Sequence, residues 1–263
     1  MKYTLHFLFL LLITAPVFGQ RNSKPDPNFH LYLLAGQSNM AGRGVVETID
    51  TTTIQNILVF DKNQQWKKAK EPLHWDKPTI GTGPGFAFGR EMAAGAGRKV
   101  KIGLIPAAHG GSSITAWVKD GYHDQTKGYP YDEALERVKA ALKDGVLMGI
   151  IWHQGETDSE NPEDEKLHLE RLVDLISRFR TEFKAPDLPF VAGELGHYRP
   201  EYQSMNKVLN QLPNQVPNTA VISAEGLVHK GDNTHFDSAS ARELGKRYAS
   251  AMKGLQNNLK KKK

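Results

Sequence analysis

Six short, nearly unbroken apolar runs dominate the sequence: 30–36 (HLYLLAG), 56–60 (NILVF), 101–107 (KIGLIPA), 147–153 (LMGIIWH), 189–195 (PFVAGEL) and 219–225 (TAVISAE). Strands that are apolar throughout, rather than at alternate positions, are buried on both faces. The segments between several of them, 86–96, 131–143, 163–183 and 202–212, carry apolar residues every three or four positions, the spacing of a helix with one buried face. A last helix is expected over about 238–255, capped by Asp237. This alternation predicts an α/β fold, a mostly parallel sheet covered on both sides by helices. The chain of 263 residues, 39% hydrophobic and 24% charged, is long enough for one large core. No repeat or change of composition interrupts it after residue 28, so a single domain is expected over 28–256.

The ends differ from this body. Residues 1–19 join one lysine to an apolar stretch at 5–17, with Val17 and Gly19 as small residues before Gln20, the pattern of a cleaved secretory signal. The apolar stretch is shorter than the roughly 20 residues a spanning helix requires. The chain has no cysteine, and hence no disulfide, thiol nucleophile or lipidated cysteine. A secreted or periplasmic protein without stable membrane insertion is therefore expected. The formal charge of +5 is accounted for by Lys2 and the lysines at 260–263, leaving a neutral body. The basic segment 257–263 reads as a solvated tail, and nothing points to a nucleic-acid partner.

In such sheets the binding crevice lies beyond the carboxyl ends of the strands. Three segments just after strands are rich in Gly, Ser, Gln and His: GQSNMAGRG (36–44), PAAHGGSSITAW (106–117) and HQGETDS (153–159). A fourth, HKGDNTHFD (229–237), precedes the last helix. Ser38 follows the first strand directly and reads either as a helix N-cap or as a nucleophile. Asp232 and His235, three positions apart, allow a carboxylate to accept Nδ1–H while Nε2 faces a distant serine. Gly110 and Gly111 expose backbone N–H groups and Gln154 offers an amide, for which the alternatives are a plain turn and a loop-fixing hydrogen bond.

These four blocks, taken in order, resemble those of the SGNH/GDSL hydrolase superfamily, within it the sialate O-acetylesterase-like branch that includes carbohydrate esterase family six. The resemblance spans residues 29–250. It implies a flavodoxin-like three-layer α/β/α sandwich and a cofactor-free Ser–His–Asp esterase whose partner is an O-acetylated carbohydrate of the acetylxylan or sialic-acid type. Carried onto this sequence, Ser38 is the nucleophile, His235 the base and Asp232 its orienting partner. The Ser38 N–H, Gly110 and Gln154 form the oxyanion hole, with Gly111 as the alternative to Gly110. Gln154 replaces the asparagine of the superfamily's usual Gly-x-Asn-Asp block.

Other residues of these blocks keep two readings. Glu156 is a second carboxylate in the site or the buried partner of a residue such as Arg43. His109 and His153 shape the pocket or bind a metal with His235, and Trp117 and Trp152 stack on a sugar or pack in the core. The rival functions are a metal-dependent deacetylase and a catalytically silent carbohydrate-binding domain. An α/β-hydrolase fits less well, because its elbow requires Gly-x-Ser-x-Gly and position 40 is Met.

Overall fold

The computed structural model describes residues 24–261. Seven strands, β1 (Phe29–Gly36), β2 (Ile57–Phe60), β3 (Trp66–Lys68), β4 (Lys101–Pro106), β5 (Val146–His153), β6 (Phe190–Gly193) and β7 (Thr219–Ile222), form one sheet in the order β3-β2-β4-β1-β5-β6-β7. All neighbours run parallel except β3, which pairs antiparallel with β2. The helices are α1 (Ser38–Ala41), α2 (Thr48–Thr51), α3 (Pro84–Ala94), α4 (Pro130–Ala141), α5 (Pro162–Glu182), α6 (Pro200–Leu209), α7 (Leu212–Gln215) and α8 (Ser238–Lys261).

The side chains of β1 explain the layering. Leu31, Leu33 and Ala35 pack on one face with Leu135 and Val138 of α4 and with Leu172, Leu175 and Phe179 of α5. Tyr32 and Leu34 point the other way, into a second core with Phe88 and Met92 of α3 and with Leu244, Tyr248 and Met252 of α8. Each fully buried Leu, Phe or Met side chain among these contributes about 1.5–3 kcal/mol. Gly245 permits the close α3–α8 packing, since a Cβ there would meet Pro84 O and Ala87 Cβ. Helix α5 starts where Asn161 accepts the Glu163 N–H at 3.0 Å and Pro162 occupies the first turn, with Glu163, Asp164 and Glu165 facing the positive end of the helix dipole.

The expected α/β/α sandwich is therefore the observed one, with three differences of detail. Strand β3 was not expected: it is short and carries exposed Lys67 and Lys68, which protect a sheet edge rather than mark a buried strand. Strands β6 and β7 stop at Gly193 and Ile222, before the expected 195 and 225. Asp237 caps α8 as expected, accepting the Ser240 N–H at 2.7 Å, but the helix continues to Lys261 and so takes in most of the expected tail. Gln256 anchors this extension by donating to Met148 O at 3.0 Å and to the Tyr32 hydroxyl at 3.2 Å. The expected signal at 1–19 lies outside the described residues. Among the described residues, no helix is long and apolar enough to cross a membrane.

Strand β1 lies between β4 and β5, where the strand order reverses. Backbone bonds from Gln37 N–H to His153 O (2.8 Å) and from His109 N–H to Gly36 O (2.9 Å) draw the segments after these three strands together.

Candidate active site

The chain leaves β1 at Gly36, whose φ of +130° and closeness to the His153 carbonyl leave no room for a side chain. It turns at once into α1, where the Met40 and Ala41 N–H groups both donate to Gln37 O at 3.0 Å. Ser38, the first residue of that turn, is 6% exposed, and its own N–H has no acceptor within the helix. From the other end of the sequence, 197 positions away, His235 brings Nε2 to 3.0 Å from Ser38 Oγ.

Asp232 fixes that imidazole. Its Oδ2 lies 2.7 Å from His235 Nδ1, and its Oδ1 accepts the His235 N–H at 2.8 Å and the Thr234 N–H at 3.0 Å. Partial burial would raise the Asp232 carboxyl, but the His235 backbone and ring bonds and the Thr234 N–H outweigh it and hold the group well below the usual carboxylate range. Burial also pushes the His235 ring below its ordinary 6.5, opposed in part by the Asp232 carboxylate. With Nδ1–H given to a carboxylate, Nε2 is the acceptor aimed at the serine hydroxyl, so the group can remove its proton at neutral pH.

The other expected oxyanion donors lie in the neighbouring segments with their N–H groups engaged. Gly110 N–H donates to Asp76 Oδ2 at 2.9 Å. Gln154 is fully buried, and its amide donates to Asp158 Oδ2 at 2.9 Å and to Ser112 O at 3.1 Å. Gly111, the alternative, has φ +83° and gives its carbonyl to the Thr157 hydroxyl at 3.2 Å.

The pairing expected between Glu156 and Arg43 is corrected by the structure. Arg43 Nη2 bonds Asp76 Oδ2 at 2.7 Å, whereas Glu156 Oε1 accepts from Asn39 Nδ2 at 2.6 Å. The two partners come from segments whose path no periodicity gives. Burial pushes the Glu156 carboxyl up to about 7, the Asn39 bond opposing it.

Trp117 and Trp152 are fully buried, their rings 4.9 Å apart edge to face, so they pack in the core and are closed to a sugar. His153 is equally sealed, with Nδ1 3.0 Å from the Tyr248 hydroxyl, and burial pushes its imidazole down to about 3. His109 Nδ1 meets the Thr126 hydroxyl at 2.8 Å, and its Nε2 lies 3.4 Å from Glu133. Among the described residues, no group of three or more His, Asp or Glu side chains is arranged to hold a metal ion.

Sequence reasoning missed Asn39, Asp76 and His168. Asn39 was within reach, standing next to Ser38 and able to hydrogen-bond from both ends of its amide. Asp158 stands in the third block, but its partner His168 lies on α5 at 3.0 Å, inside an ordinary helical pattern that carries no signal.

The chain is similar to known proteins over most of its length. The family described as "Carbohydrate esterase, sialic acid-specific acetylesterase" matches residues 28–254. A probable carbohydrate esterase of Arabidopsis thaliana is 28% identical over 246 residues, covering 86% of this chain and 91% of that protein. Its crystal structure superposes with a TM-score of 0.77 at 26% identity, over 87% of this chain and 99% of that one. The structure of NanS gives a TM-score of 0.72 at 18% identity, over 90% and 99% of the two chains. A carbohydrate acetylesterase from Xanthomonas citri gives 0.68 at 19% identity, over 87% of this chain and 57% of that one. The last two likenesses speak to the fold alone.

Proposed function

The chain belongs to the carbohydrate esterase, sialic acid-specific acetylesterase family, and from that premise we propose that it is a serine esterase removing O-acetyl groups from sugars through Ser38, His235 and Asp232. The observation that carries this reading is the continuous relay from Asp232 Oδ2 to His235 Nδ1 (2.7 Å) and from His235 Nε2 to Ser38 Oγ (3.0 Å). Ser38 attacks the acetyl carbonyl while His235 takes its proton, the imidazolium being stabilised by Asp232. His235 then returns the proton to the departing sugar oxygen, leaving an acetyl-serine. Water, activated by the same imidazole, frees acetate.

The Ser38 N–H at the head of α1 is the first donor to the tetrahedral oxyanion. Gly110 and Gln154 are the further donors, each exchanging its present acceptor, Asp76 or Asp158, for the developing charge. Such contacts tighten only when substrate is bound.

The substrate is an O-acetylated glycan of the sialic-acid or acetylxylan type. We further propose export directed by residues 1–19, which a mature N-terminus near Gln20 in the periplasmic or culture fraction would support and an intact Met1 there would contradict. The function is tested by acetate release from a panel of O-acetylated sugars by parent and Ser38→Ala protein. Release by the parent alone, undiminished by a chelator, is expected. Equal release by both proteins rules out Ser38 as nucleophile.

A further inference from the structure

The 3.0 Å contact between Ser38 and His235 joins segments 197 positions apart, and one side chain bridges them beneath the reacting atoms. Asn39 Oδ1 accepts the Phe236 N–H at 3.1 Å, and Asn39 Nδ2 donates to Thr234 O at 3.0 Å. The residue after the nucleophile thus grips the backbone on both sides of the base. Its second Nδ2 proton goes to Glu156 Oε1 at 2.6 Å, so both donor protons and the acceptor of the amide are used.

Glu156 is 3% exposed and follows β5 closely. In the amide orientation that satisfies its neighbours, Gln37 donates to the other carboxyl oxygen, Oε2, at 3.2 Å. One buried carboxyl therefore touches the side chains on both sides of Ser38, while Asn39 touches the backbone on both sides of His235. The Tyr198 hydroxyl reinforces the arrangement from outside, donating to Thr234 O at 3.0 Å.

We infer that Asn39 and Glu156 are a positioning pair for the esterase reaction: Glu156 fixes the two neighbours of the nucleophile, and Asn39 transmits that placement to the base. Neither touches the reacting atoms. The inference rests on the Ser38–His235 reading given above. Its physical basis is that the proton transfer depends on a distance set by two segments 197 positions apart, and a displacement of about 1 Å reduces such a reaction by roughly 10²-fold. A purely structural pair would change the amount of folded protein and leave its turnover alone.

The test uses the full chain with Asn39→Ala, Glu156→Ala, Glu156→Gln and the double alanine variant, with Ser38→Ala as control. Turnover of an acetyl ester and the rate of inactivation by a serine-directed phosphonate are measured, each per folded molecule by circular dichroism. Both alanine variants are expected to lower kcat and the inactivation rate together by about 10²-fold, with KM unchanged. Glu156→Gln, whose carbonyl can still accept from Asn39, recovers most of that loss. The double variant loses no more than the worse single one, as residues acting as a unit do. Parent kcat and inactivation rate in folded Asn39→Ala, or a loss confined to KM, overturns the pair, and this variant decides alone if Glu156→Ala does not fold. Parent-like turnover by Ser38→Ala would instead overturn the underlying reading, so the two failures are distinct.

Discussion

Of the carboxylate–imidazole pairs near this crevice, Asp232–His235 and Asp158–His168 differ in depth rather than in kind. Asp232 and His235 meet at 2.7 Å with side chains 37% and 23% exposed, whereas Asp158 and His168 meet at 3.0 Å with both fully buried. Beyond the shared carboxylate–Nδ1 contact, the second ring nitrogen decides what each pair can do. His235 Nε2 reaches Ser38 Oγ, while His168 Nε2 is buried and finds no partner among the described residues. Asp158 spends its Oδ2 on His168, the Gln154 amide and the Ile114 N–H, tying α5 to the segments after β4 and β5. In the proposed reaction the same two residue types activate a hydroxyl where the far nitrogen reaches a serine, and they hold loops together where it does not.

The largest expected effect separates the pairs. Ser38→Ala or His235→Ala should lower kcat by roughly 10⁴–10⁶-fold, measured as acetate release per folded protein, whereas His168→Gln should retain most turnover. Comparable losses at His235 and His168 would erase the distinction.

Asp232→Asn comes next, with kcat reduced by about 10⁴-fold because the imidazole loses its required tautomer. The pH profile sharpens the point. Protonated His235 cannot accept the serine proton, so activity should fall as pH drops through a midpoint below the ordinary 6.5. Removing the carboxylate that holds this value up should move the acid limb lower still.

For the buried pair the effect should appear in stability. Asp158→Ala leaves His168 and Gln154 without their shared acceptor and should lower unfolding free energy by about 1–3 kcal/mol for each buried group left unpaired, read by denaturant titration. The kcat of the folded fraction should fall far less than in Asp232→Asn.

The smallest effect concerns Glu156, whose carboxyl burial raises from 4.5 to about 7. A raised value means the folded state holds the proton more tightly. The stability it gives is complete below 4.5 and lost as pH rises through about 7. Glu156→Gln cannot ionise, so its thermal midpoint should exceed that of the parent above pH 7, and the gain should vanish towards pH 4.5. A gain independent of pH would show that burial of the charge is not its source.

The sequence displayed the strands that are buried on both sides, because a short run that is apolar throughout suits a strand covered by helices on both faces. It hid β3, whose register against β2 comes from the backbone and whose lysines face solvent. The meeting of Ser38, Asp232 and His235 was legible because one stands at a strand end and the other two in a local three-residue spacing. Partner choice among buried polar groups was not. Arg43 pairs with Asp76 across 33 positions and Asn39 with Glu156 across 117, and neither choice leaves a periodic trace. The engagement of the Gly110 N–H by Asp76 was hidden for the same reason, since Asp76 lies in a segment without regular spacing.

In the proposed reaction an imidazole carried by the last loop activates a hydroxyl at the end of the first strand. Reacting the protein with a serine-directed phosphonate and mapping the adduct by peptide mass spectrometry tests it most directly. One adduct, on the peptide containing Ser38, formed at a rate that collapses in His235→Ala, is the expected result. An adduct on another residue, or labelling of Ser38 at the same rate without His235, would contradict it.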